Sequence, residues 1–303
     1  MLENKRLGFI LNPLAGRGWA GQIESQLIEA LQAKRIPYSL EKTRTSGNAI
    51  HIARQMSKEL ATVIAVGGDG TVNEVVNGLV GSTTSLGVLP LGSGNDFNKM
   101  VGMPTKIQAA LDIIIRGTRK VIDIGKITIR NFSGISHTRH FINTLGIGID
   151  AQIAKEAKRI KYLRGLPLYL IATVKALATY KTNEYSITDA TSTRKEKAFL
   201  ICAGNGNYEG GGFKMLPDAL NDDGQLDICL IRKMPVLQSL PVILKIIKGT
   251  HSAESKIDIW NSSHIEIKSD HPFILHGDGE IFDENALEVT IEIAKEKMPV
   301  VIA

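Results

Sequence analysis

Two glycine-rich turns hold the side chains best suited to chemistry. The first is Gly67-Gly68-Asp69-Gly70-Thr71, preceded by the apolar run Val63–Val66 and followed by Val72-Asn73-Glu74. The second is Leu91-Gly92-Ser93-Gly94-Asn95-Asp96, preceded by Leu86–Pro90. Glycine lets backbone N–H groups approach an anion closely. A helix that starts at such a turn adds the positive end of its dipole. This chemistry suits a phosphate. Asp69 suits a metal ion or an ordered water beside it, and Ser93 adds a hydroxyl. Asn95 and Asp96 can fix a sugar or a metal-bound water. Either turn alone also fits a plain strand-to-helix connection, with Asn95 or Asp96 as a helix cap. Two such turns, each after an apolar strand and each with an acidic residue, point to phosphate binding.

Strands must end beneath these turns. Residues 7–11, 38–42, 62–66 and 86–90 read as strands, and 23–32, 48–60, 72–79 and 106–115 as helices. That alternation predicts a parallel sheet covered on both faces, with ligands beyond the carboxyl ends of its strands. Near Asp123 the pattern changes. Residues 124–130, 140–145, 199–203, 226–231, 256–260, 264–269, 273–276 and 287–293 read as strands, several of them alternating. This predicts a largely antiparallel second domain. Helical inserts fall at about 151–181 and 236–248, and the apolar tail Pro299–Ile302 is expected to return to a core.

The 303-residue chain is 43% apolar and 22% charged, as expected of a soluble globular protein. Cys202 and Cys229 lie in apolar runs and read as buried thiols, which points to a reducing, cytoplasmic setting. A formal charge of +5 permits an anionic partner, but no RNA- or DNA-reading motif accompanies it, so nucleic acid is not expected. No apolar stretch reaches the length of a membrane span, and no signal segment precedes the first strand. The histidines show no metal-ligand spacing. His276 lies close to Glu280 in sequence and can tune it.

Asn12-Pro13 with Gly16, Gly67–Glu74 and Pro90–Phe97 together resemble the diacylglycerol kinase catalytic domain. The bacterial soluble lipid kinases are the nearest type, with sphingosine and ceramide kinases as relatives. Val121–Gly125, Leu216–Ala219 with Asp222-Asp223-Gly224, and His276-Gly277-Asp278-Gly279-Glu280 extend the resemblance in order along nearly the whole chain. It implies a three-layer α/β nucleotide-binding domain of the NAD kinase/diacylglycerol kinase type at 1–124, completed by about 294–303. A β-rich sandwich for the lipid, with helical inserts, follows at 125–293. ATP is expected across Gly67, Gly68, Asp69, Gly70, Thr71 and Asn73, with Asn12, Thr43, Ser93 and Asn95 lining the cleft. Asp69, Asp96 and Asp123 are expected in a catalytic Mg2+ network. Asp123 as a strand-end cap is the competing reading.

By the same resemblance Glu280 is the catalytic base, which takes the proton from the acceptor hydroxyl. A second, structural Mg2+ is implied at the Asp223 carboxylate and the carbonyls of Leu220 and Gln225, although Asn-Asp-Asp-Gly is also a plain turn signal. The implied activity is ATP- and Mg2+-dependent phosphorylation of a lipid hydroxyl, diacylglycerol to phosphatidate. An NAD kinase and a catalytically silent lipid-binding regulator are the alternatives. A lipid kinase would work in the cytoplasm at the inner face of the membrane, and a homodimer is left open. Lys155, Lys158, Arg159, Lys161 and Arg164, next to the apolar stretch Leu166–Val174, suit an anionic membrane surface. They equally suit a helix packed on the β domain with its basic end in water. Asn205, Gly206, Asn207 and Gly210–Gly212 read as a lipid-side wall or as a loop.

Overall fold

The structure is a computed structural model that describes residues 6–160, 162–163 and 165–303. Lys161 and Arg164 of the basic segment lie outside the described residues, as do the side chains of Lys158 and Leu166. The chain divides into two compact units, Met1–Ile122 with Lys295–Ala303, and Asp123–Ala294.

In the first unit strands and helices alternate: β1 (Leu7–Leu11), α1 (Trp19–Gln22), α2 (Glu24–Ala33), β2 (Tyr38–Lys42), α3 (Asn48–Met56), β3 (Thr62–Gly67), α4 (Asp69–Leu79), β4 (Ser85–Pro90), α5 (Asp96–Val101) and α6 (Ile107–Arg116). The strands are parallel in the order β2-β1-β3-β4. Every residue of β1, β3 and β4 is buried, which requires cover on both faces of the sheet. The helices supply it in pairs, α3 packing on α4 and α2 on α6. The apolar tail returns as its composition predicts: Val300 pairs in parallel with Leu86, and Val300 and Val301 are wholly buried. One boundary differs. The helix expected from Val72 begins at Asp69, with Gly68 extended before it. Asp69 therefore lies in the first helical turn, where a carboxylate meets the positive end of the dipole.

β5 (Arg119–Asn131) leads into the second unit. There follow β6 (Ser136–Phe141), β7 (Thr144–Gly148), α7 (Ile149–Arg159), α8 (Gly165–Thr179), β8 (Asn183–Asp189), β9 (Thr193–Gly204), β10 (Leu226–Arg232), α9 (Val236–Lys248), β11 (Ile257–Ser262), β12 (His264–Gly277) and β13 (Glu280–Val301). Pairing is antiparallel through β11-β10-β9-β7-β12-β13, and β8 joins both β9 and β12. The period-2 alternation of β9 sorts its residues between two cores. Ile201 and Ala203 pack with Ile228, Leu230, Ile265 and Ile267. Leu200 and Cys202 pack with Cys229 and with Ala176, Leu177, Val242 and Ile243 from α8 and α9.

The second unit departs from the sequence expectation in four places. The run 140–145 is two strands, broken at Ile142 and Asn143 by a contact described below. Residues 264–277 form one strand where two were expected. β8 and the first half of β9 were not anticipated, because their alternating positions carry polar residues that stay partly exposed. Asp123 lies inside β5 and not at a strand end, so the capping reading does not apply. Cys202 and Cys229 are neighbours across β9 and β10, both free and buried. Among the described residues no helix is long and apolar enough to cross a membrane.

Candidate active site

In the first unit the loops after β1, β3 and β4 meet at the carboxyl ends of the strands. Asn12 donates its backbone N–H to Val66 O at 3.1 Å and its Nδ2 to Thr71 Oγ1 at 3.0 Å. Its Oδ1 accepts the Leu14 N–H. Leu91 N–H donates to Gly67 O at 2.8 Å. Gly68 and Gly92 touch through their backbones: a Cβ on Gly92 would stand 2.4 Å from Gly68 Cα. Asn95 folds its own loop, its Oδ1 accepting the Gly92 N–H at 2.8 Å and its Nδ2 donating to Gly92 O. That places Asn95 in the left-handed region at φ 52°, just before α5. Asp69 Oδ1 accepts the Phe97 N–H at 3.1 Å, joining the start of α4 to the start of α5. Thr43 follows β2, and its N–H donates to Leu11 O.

The structure thus brings Asn12, Thr43, Gly67, Gly68, Asp69, Gly70, Thr71, Ser93, Asn95 and Asp96 to one end of the parallel sheet. Two of the expected residues turn inward. Asn73 is wholly buried, and its carbonyl and Oδ1 accept Asn77 Nδ2 within α4. Asp96 is buried, with Lys99 Nζ at 2.6 Å from its Oδ1. Glu74, named in the motif without a role, caps α3. Its carboxylate accepts the N–H groups of Gly47 at 2.8 Å and Ala49 at 3.0 Å. Gly47 itself has no side chain to cap with.

In the second unit, two stretches expected to act separately are joined. Asp123 is wholly buried, and its Oδ2 accepts the Gly224 N–H at 2.7 Å. Its backbone N–H donates to Asn221 O, and its carbonyl accepts Asn205 Nδ2. Asp123 therefore holds the 220–225 loop. In that loop Asp223 is exposed and its Oδ1 accepts the Gln225 N–H at 3.0 Å. Burial, then the carboxylates of Asp223 and Asp218, push Asp227 up to about 6. The negative potential and the oxygen donors of Asp223, Leu220 and Gln225 fit a hard cation. Asn205 and Asn207 are used internally, Asn207 Nδ2 donating to the carbonyls of Leu216, Pro217 and Ala219.

Glu280 opens β13, directly after the two-residue turn Asp278-Gly279. Both turn residues have positive φ, 49° and 82°, as a tight hairpin turn requires. Asp278 is the anchor. It is 3% exposed, and its carboxylate accepts the N–H groups of Ile142 (2.9 Å), Asn143 (2.9 Å) and Thr144 (3.1 Å). Its own N–H donates to Thr144 O. These bonds take the amides that would have continued a single strand through 140–145, so β6 and β7 separate here. Glu280 is thereby held on a rigid turn, half-buried.

Beside the hairpin lies a cluster that spacing in the sequence does not reveal. His276 Nε2 stands 2.9 Å from Glu209 Oε1 and 3.4 Å from Asp150 Oδ2. All three residues are buried. Burial alone would lower the imidazole, but the Asp150 and Glu209 carboxylates raise it to about 10. Burial raises Asp150 despite His276. The glycines Gly146 and Gly148, just before Asp150, were the available signal.

Of the basic segment, Lys155 pairs with Glu284 and Arg159 with Glu156. Exposed apolar side chains lie on α8 (Ile171, Val174) and, unanticipated, on α9 (Leu237, Leu240, Leu244). The α9 leucines recur three and four residues apart, on one outer face.

Two family models match the chain: the diacylglycerol kinase catalytic domain over residues 6–127, and the YegS C-terminal NAD kinase beta sandwich-like domain over residues 143–302. A diacylglycerol kinase of Bacillus subtilis (strain 168) is 28% identical over 281 residues, covering 91% of this chain and 90% of the relative. One from Staphylococcus aureus (strain MRSA252) is 31% identical over 283 residues, covering 91% and 86%. The crystal structure of a diacylglycerol kinase from Bacillus anthracis str. Sterne superposes with a TM-score of 0.72 at 23% identity, over 99% of this chain and 98% of the other. An NAD kinase from Archaeoglobus fulgidus in complex with ATP shares the fold at a TM-score of 0.54 and 12% identity, over 97% and 93%.

Proposed function

The chain belongs to the diacylglycerol kinase family, and from that premise we propose that it transfers the γ-phosphoryl group of ATP, with Mg2+, to the hydroxyl of a neutral lipid, diacylglycerol being the first candidate. One observation carries the reading: the loops after β1, β3 and β4 converge through Asn12–Thr71, Gly68–Gly92 and Asp69–Phe97 contacts. The start of α4 there offers backbone N–H groups and a positive dipole end for the donor phosphates. Phosphoryl transfer needs alignment and charge neutralisation more than covalent chemistry.

Asp69 and Asp96 are the proposed carboxylates for Mg2+, which would neutralise charge on the transferred group. Asp123 is proposed to act through the 220–225 loop that it holds. That loop is the proposed site of a structural Mg2+ at Asp223, Leu220 and Gln225. Glu280 accepts the hydroxyl proton as the new P–O bond forms. The exposed leucines of α9 and the apolar outer positions of α8 favour peripheral contact with a lipid surface.

The test is labelled ATP with a panel of lipids in mixed micelles, wild type against Glu280→Gln, followed by mass spectrometry of products from a total lipid extract. Phosphorylated lipid from wild type and at least about 100-fold less from the variant is expected, within the range of general-base effects. Equal turnover by both proteins removes Glu280 as the base. An arm with NAD as acceptor is included because the fold is shared with NAD kinases; product in that arm alone replaces the lipid reading.

A further inference from the structure

We infer that Asp150, Glu209 and His276 form a site for one borderline divalent cation of the Zn2+ class, anchored on the hairpin that carries Glu280. The three donor atoms all lie within 4.8 Å of one another. Metal bonds of about 2.0–2.1 Å in a tetrahedral site put neighbouring donors about 3.3 Å apart. The observed separations from Nε2, 2.9 and 3.4 Å, bracket that edge. His276 is 3% exposed and Asp150 9%, and neither His276 Nε2 nor Asp150 Oδ2 makes a hydrogen bond of good alignment despite the short Nε2–oxygen contacts.

The backbone leaves room for this. Gly146 pairs with His276 across β7 and β12. A Cβ on Gly146 would stand 1.5 Å from Asp150 Oδ2 and 2.7 Å from His276 Nε2. Glycine is therefore required for Asp150 and His276 to converge. Two carboxylates and one imidazole nitrogen offer a divalent cation both charge neutralisation and ligand atoms. Cys202 Sγ lies 3.4 Å from Glu209 Oε2 and orients that carboxylate by donating to it. One nitrogen among the ligands selects against Mg2+, which takes oxygen. The site is thus distinct from the Mg2+ proposed with ATP.

The test is the metal content of the full chain. Protein is incubated with excess Zn2+, passed through a desalting column, and measured by elemental mass spectrometry. Wild type is expected to hold one Zn2+ per chain, His276→Gln and Asp150→Asn less than about a tenth of that, and Glu280→Gln the full amount. Retention by Glu280→Gln also separates this inference from the kinase reading, since the readout does not involve phosphorylation. Wild type is then heated in saturating Mg2+ with or without Zn2+, which needs no variant to fold. A melting midpoint that rises further when Zn2+ is added to the Mg2+-saturated protein supports the site. Wild type without Zn2+, His276→Gln with wild-type content, loss of Zn2+ in Glu280→Gln, or no Zn2+-specific shift overturns it.

Discussion

Replacing Asp278 by Asn tests how the hairpin is held. The wild-type carboxylate accepts three N–H groups at 2.9, 2.9 and 3.1 Å in a site that is 3% exposed. Each such charge-assisted bond contributes about 1.5–3 kcal/mol net. Asn retains one carbonyl oxygen, which can serve Asn143 and Thr144 as a neutral acceptor at about half the strength. Its amide group would face the Ile142 N–H, donor against donor, leaving a buried amide unsatisfied at about 1–3 kcal/mol. The expected destabilisation is about 3–5 kcal/mol, a large share of the ~5–15 kcal/mol by which domains are stable. Urea unfolding followed by Trp260 fluorescence reads this unit, in a Trp19→Phe background where Trp260 is the remaining tryptophan. The midpoint should fall with the slope unchanged. If Glu280 is the base, turnover should also fall at temperatures where the variant is still folded, by about tenfold or more, because misplacement by an ångström has that scale of effect. A cost under about 1 kcal/mol would refute the reasoning, since it would mean that water or a shifted backbone satisfies the three amides.

Glu74→Ala uncaps α3 and should lower the stability of the first unit by about 2–4 kcal/mol, measured by urea unfolding on Trp19 fluorescence in a Trp260→Phe background. Gly92→Ala should weaken nucleotide binding about tenfold or more by calorimetry while the fold survives, because its Cβ would stand 2.4 Å from Gly68 Cα and push the two turns apart. His251 is buried with its Nε2 3.0 Å from Met215 O, and desolvation lowers its pKa below the usual 6.5. The unfolded chain therefore takes up a proton below about pH 6.5 that the folded chain refuses, so this contribution is full above 6.5 and is lost as pH falls. Relative to His251→Gln, wild type should lose up to about 1.4 kcal/mol per pH unit between pH 6.5 and 5, read from urea midpoints. Parallel pH profiles would show that His251 does not stay neutral in the fold.

What the sequence by itself determined is what rests on local conformation. A short apolar run ending in Gly-Gly or Gly-Ser-Gly fixes a strand, a turn and a helix start within a dozen residues. The parallel half of the fold, with its turns at 67–71 and 91–96, was therefore legible. So was the Asp278-Gly279 turn, since Asp-Gly tolerates positive φ at both positions. The tertiary structure decided whatever depends on partners far along the chain. Asp278 breaks β6 from β7 with amides more than 130 residues away. Asp123 reaches Gly224 across 101 positions, tying the expected catalytic carboxylate to a loop that no local pattern links to it. Asp150, Glu209 and His276 converge from α7, a loop and β12, and no spacing within any one element announces them. Periodicity reports which face of an element is buried; it does not report which buried face another element's polar side chain will meet. That meeting is set by strand order and register, and these exist only once the antiparallel unit has closed around its cores.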